Sequence, residues 1–69
     1  MFEKNKLIAA MMEVGLNVTA TAEKMGISRS SFYRKMKKDG DFSRRELLEL
    51  SDLIGREKVS RIFFEDMVS

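Results

Sequence analysis

Sixty-nine residues, 43% hydrophobic and 35% charged with a net charge of +2, suit one small helical domain, residues 1–69, whose core is marginal without a staple or a partner. The chain has no Cys and no His, which excludes a disulfide framework, thiolate metal sites and the commonest general base near neutrality. The apolar stretch Leu7 to Met12 is too short to span a membrane and lacks a signal-peptide cleavage pattern, so a cytoplasmic protein is expected.

Turn residues divide the chain into five helical segments. The first is expected from about Glu3 to Val14, with Leu7, Ile8, Met11 and Val14 on one face and Gly15 as a left-handed stop. Asn17 then caps a second helix over about 18–25, closed by Gly26. Ser28 caps a third over about 29–37, which ends in the polar loop Lys38-Asp39-Gly40-Asp41. Ser43 and Glu46 have the spacing of a capping box, flanked by Phe42 and Leu47 as a hydrophobic staple. They start a fourth helix that buries Leu47, Leu50 and Ile54, with help from Leu48 or Leu53, and stops at Gly55. A fifth, about Glu57 to Glu65, offers Val59, Ile62 and Phe63 to the core. Met11, Met25 and Met36 sit at helical spacing and read as core filler.

Charge is distributed unevenly. Residues 1–38 carry eight Lys/Arg against three Glu, a net of +5, whereas residues 39–69 carry five basic and eight acidic residues, a net of −3. The basic focus, Arg29 to Lys38, coincides with the third helix, and such a focus draws in phosphate and speeds encounter with nucleic acid. A solvated helix face is the bland alternative. Two short helices around a glycine turn, the second one basic, form a helix-turn-helix whose second helix can enter the DNA major groove.

The segment AEKMGISRSSFYRKMK, residues 22–37, resembles the core of the Xre-type helix-turn-helix family of phage Cro proteins and lambdoid repressors. The likeness covers nearly the whole chain, and short phage regulators ending in an Ile-Phe-Phe segment, as at Ile62 to Phe64, are closer still. It implies an all-α, five-helix lambda-repressor-like fold. In physical terms Ala22 has to be small where the two helices cross, Gly26 takes the tight turn, and Ile27 with Phe32 plugs the core. Two positions depart from the family pattern: Val18 stands where many members carry Gln, and Thr21 replaces an apolar residue.

The resemblance places Ser28, Arg29, Ser30 and Arg34, flanked by Tyr33, against base edges. Arginine suits bidentate bonding to guanine, and Arg29 is the first candidate, with a phosphate contact as its alternative. Asn17, Thr19, Lys35, Lys37 and Lys38 are expected on the DNA backbone, the first two at a helix N-terminus. The C-terminal tail carries more apolar residues than one short helix buries inward, so Phe64, Met67 and Val68 are expected at a homodimer interface; folding back onto a monomer core is the alternative.

The expected function is sequence-specific binding of a double-stranded DNA operator by a phage or prophage Cro- or repressor-like transcriptional regulator, with no cofactor, metal or small-molecule ligand. An enzyme is not expected. Ser and Lys in the third helix lack room for an oxyanion hole, and Asp39, Asp41, Asp52 and Asp66 lack EF-hand spacing. The alternative classes are a protein-interaction module, such as an antirepressor or accessory factor, and an RNA- or replication-associated binder.

Overall fold

A computed structural model describes residues 2–68, with side chains described through Phe64. Five helices follow in order, α1 Lys4–Glu13, α2 Val18–Met25, α3 Arg29–Lys37, α4 Arg44–Ile54 and α5 Arg56–Val68, and there is no strand among the described residues. The all-α, five-helix architecture agrees with the expectation. α5 alone runs longer than expected, because no stop signal follows Gly55.

Local chemistry sets the ends. Gly15 and Leu16 donate their amides to Met12 and Met11 at 3.0 and 2.9 Å, and Gly26 and Ile27 repeat the pattern onto Glu23 and Ala22 at 3.1 and 3.0 Å. Each pair is a Schellman closure that satisfies orphan carbonyls. Gly26 takes φ +72°, a conformation that a β-branched residue adopts only under strain. The capping box is complete: the Glu46 amide donates to Ser43 Oγ at 3.2 Å, and the Ser43 amide donates to Glu46 Oε1 at 2.8 Å. This fixes where α4 begins.

The core gathers one face of each helix. Leu7, Met11, Phe32 and Leu50 are fully buried, with Ala22, Met25, Met36, Phe42, Ile54 and Val59 around them. The three methionines expected as filler are all core residues. Four phenylalanines run through it as a string. Phe32 meets Phe42 edge-on at 5.3 Å, Phe42 meets Phe63 at 5.7 Å, and Phe63 stacks on Phe2 at 5.0 Å. Edge-to-face and offset contacts at these separations add to plain area burial. α1 therefore packs on α2, α4 and α5, and α2 carries α3 at the surface.

One core expectation needs correction, and two are sharpened. Val14 is 42% exposed because α1 ends at Glu13, which leaves Val14 as a C-cap outside the helical register; Ala10 takes the buried position instead. Leu48 is 60% exposed, and Leu53 is the residue that supplements Leu47, Leu50 and Ile54. Ile27 is partly buried, so Phe32 is the main plug.

Candidate nucleic-acid interface

The N-terminus of α2 is a tight polar knot. Asn17 Oδ1 accepts the Ala20 amide at 2.7 Å, and the Asn17 carbonyl accepts both the Thr21 amide at 2.9 Å and the Thr21 hydroxyl at 2.8 Å. Thr21 is wholly buried, yet its hydroxyl is satisfied within its own helix, so the departure from an apolar residue leaves no orphan polar atom. Val18 is buried in the core, which accounts for an apolar residue where the resemblance has Gln. Thr19 is exposed beside it.

α3 presents two distinct faces. At about 100° per residue, Phe32 and Met36 fall on one side and are buried. Arg29, Ser30, Tyr33, Arg34 and Lys37 come together on the outer side, where they line one open depression of about 600 Å³. Arg29 and Arg34, five positions apart, thus share one concave surface. The Arg29 guanidinium carbon sits 5.7 Å from the Tyr33 ring centroid, a cation–π contact one turn along the helix. A second depression of about 380 Å³ adjoins the first, lined by Ile8, Met12, Asn17, Val18, Thr19, Arg29 and Tyr33. Arg29 and Tyr33 line both and form the ridge between them. No carboxylate lines either surface.

Not every expected residue joins this surface. Lys35 lies on the far side of α3, where its Nζ pairs with Glu46 Oε2 at 3.2 Å and its side chain is 24% exposed. A lysine held this way does not face the depression that Arg29, Ser30, Tyr33, Arg34 and Lys37 line. Burial pushes the Glu46 carboxyl up, but the Ser43 amide and hydroxyl and the Lys35 ammonium outweigh it and hold the group below its ordinary 4.5. Ser28 is exposed, but its Oγ accepts the Ser31 amide at 3.1 Å and donates to Ser31 Oγ at 2.9 Å, so the hydroxyl serves α3 as a cap. Lys37 and Lys38 are exposed at the end of α3. Phe64 is 37% exposed, and the side chains of Met67 and Val68 lie outside the described residues.

Sequence reasoning missed Ile8 and Met12 as the apolar wall beside Asn17. The period of α1 puts Ile8 near its buried face, but the wall forms only when α2 and α3 are folded against α1.

Among the described residues, no group of His, Cys, Asp and Glu side chains could hold a metal ion, and no helix is long and apolar enough to cross a membrane. The family model of the bacterial regulatory proteins of the Fis family matches residues 1–38, more than half of the chain. The chain belongs to the Fis family. The matched stretch of this Fis-family protein holds α1, α2 and α3, and so both depressions, while α4 and α5 lie beyond it. The protein is a DNA-binding transcription-regulator domain built on a helix-turn-helix, a class that is typically non-enzymatic. The match is to the Fis family and does not reach the Cro and lambdoid-repressor likeness. No curated protein and no solved structure matches this Fis-family chain.

Proposed function

We propose that this Fis-family protein binds a duplex DNA operator sequence-specifically, as a Cro- or repressor-like regulator of phage or prophage type in the bacterial cytoplasm. α3 enters the major groove with Arg29, Ser30, Tyr33 and Arg34 toward base edges. Asn17, Thr19, Lys37 and Lys38 hold the backbone, and Ser28 stays at the edge as the cap. The carrying observation is the outer face of α3, where Arg29, Arg34 and Lys37 share one depression without a carboxylate. None of these cations, nor Lys38, takes part in the ion pairs of the described residues, which engage Lys6, Lys35, Lys58 and Arg61. Cations outside those ion pairs are available to displace counterions from phosphate.

A homodimer joined through the exposed Phe64 and the apolar tail at Met67 and Val68 would have to hold two α3 helices about 34 Å apart to meet successive major grooves. Occupying the operator would exclude polymerase without a ligand domain.

Salt dependence tests the reading. Fluorescence anisotropy with a labelled duplex between 50 and 200 mM salt should show log affinity falling with a slope of about −0.9 per phosphate neutralised, hence about −3 to −4 per protomer for four such cations. A flat salt response would instead favour a protein-interaction module. Equal binding to every duplex would sink sequence specificity, and preference for RNA would sink the operator.

A further inference from the structure

The ridge between the two depressions holds two different chemistries one helical turn apart. Arg29 offers a planar fork of N–H donors, and Tyr33 offers an aromatic ring 40% exposed to solvent. Their separation of 5.7 Å lets the ring face restrain the guanidinium before any ligand arrives, so less side-chain freedom is lost when the fork forms its bonds. Arg34 lines only the first depression and carries no comparable aromatic contact. Residues four apart on a helix are separated by about 6 Å along its axis, on the scale of one to two base-pair steps of about 3.4 Å. In the major groove, guanine O6 and N7 accept a donor fork, while the thymine C5 methyl meets an apolar surface.

We propose that the Arg29–Tyr33 pair reads a guanine neighboured by a thymine, Arg29 donating to guanine O6 and N7 while the Tyr33 ring packs against the thymine methyl and holds Arg29 in place. The assignment rests on the duplex-DNA reading of α3 and names part of what that surface recognises. Arg29 is the base-reading residue, and Tyr33 both touches the ligand and positions Arg29.

The test begins with selection of binding sites for the full chain from a randomised duplex pool. The enriched site is then remade with 7-deazaguanine, which lacks the N7 acceptor, or with uracil for thymine, which lacks the methyl. Affinities are measured for the wild type, Arg29→Ala, Tyr33→Ala and Tyr33→Phe, with thermal melts confirming that each variant is folded. With the wild type, 7-deazaguanine should weaken binding by roughly tenfold, as expected when a bidentate contact is reduced to the single bond at O6. Uracil should weaken it by roughly fourfold, the value of one buried methyl. Arg29→Ala should abolish the first penalty, Tyr33→Ala should abolish the second and reduce the first, and Tyr33→Phe should keep both.

An enriched site in which neither analogue weakens wild-type binding would overturn the assignment while leaving sequence-specific binding intact. So would an Arg29→Ala variant that only lowers the salt slope by about one, the mark of a phosphate contact. A pool that enriches nothing would overturn the operator reading and this assignment with it.

Discussion

Of the four glycines, Gly40 is the one closely approached by other side chains. Its φ of +74° suits glycine, and a Cβ there would lie 2.8 Å from Cγ and Cδ1 of Phe2 and 3.1 Å from Cε1 of Phe63. Gly40→Ala therefore meets two separate costs. The left-handed backbone costs an L residue about 1 kcal/mol. The methyl also displaces the Phe2 ring from its stack on Phe63 at 5.0 Å, which forfeits about 0.5–1.5 kcal/mol of aromatic contact plus part of the burial of a half-exposed ring. Together they predict destabilisation by about 2–3 kcal/mol, a fall in Tm on the order of 10–20 °C for a domain of this size.

Circular dichroism melts and urea titrations of four proteins, the wild type, Gly40→Ala, Phe2→Ala and the double variant, separate the two costs. Without the Phe2 ring, Gly40→Ala should cost mainly the backbone share of about 1 kcal/mol, with a small yielding of the Phe63 ring at 3.1 Å, giving a coupling of about 1–2 kcal/mol between positions 2 and 40. Equal costs in both backgrounds would refute the close approach.

Thr21→Val should change stability by less than about 1 kcal/mol, because the Asn17 carbonyl keeps the residue-21 amide at 2.9 Å and no polar atom is stranded. A loss above about 2 kcal/mol by urea titration would show that the hydroxyl contributes far more than one local bond. Lys37→Gln should make the salt slope of DNA binding shallower by about 0.9, whereas Lys35→Gln should leave it unchanged, since Lys35 is committed to Glu46. Equal slope changes would return Lys35 to the DNA backbone. The Glu46 carboxyl is held below its ordinary 4.5 in the folded protein, so the stability it contributes is present above that value and lost as pH falls through the depressed one. Glu46→Gln should thus be less stable than the wild type by about 1 kcal/mol at neutral pH, with the gap closing in acid melts below about pH 4.5. Parallel pH profiles would contradict that origin.

Much of the fold could be read from single residues whose chemistry is local. Asn17, Ser28 and the Ser43–Glu46 box each mark a helix start within a few bonds, and Gly15 and Gly26 mark the ends, so α1 to α4 were placed to within about one residue. What escaped was decided by distant partners. Lys35 has the same charge as Lys37 but lies about 200° away around α3, on the side where Glu46 approaches from α4 and pairs with it. Val14 matched the apolar period of α1, but that period means nothing one residue past the end of a helix. Phe2 drew no notice because its value lies in Phe63, at the other end of the chain. At the candidate interface, the family resemblance singled out Ser28, Arg29, Ser30, Tyr33 and Arg34, whereas the contact of Arg29 with Tyr33 needed coordinates.

The phenylalanine string also orders events in time. Helix caps and the α2–α3 turn close over a few residues and form early, but the Phe2–Phe63 stack closes a loop of roughly sixty residues and must wait for α5. On a ribosome the helix-turn-helix would therefore emerge well before the ring that clamps its N-terminal side. In the finished domain the same seam between residue 2 and α5 is the place to look for the first opening, where amide exchange should run ahead of the interior of α1 and α4.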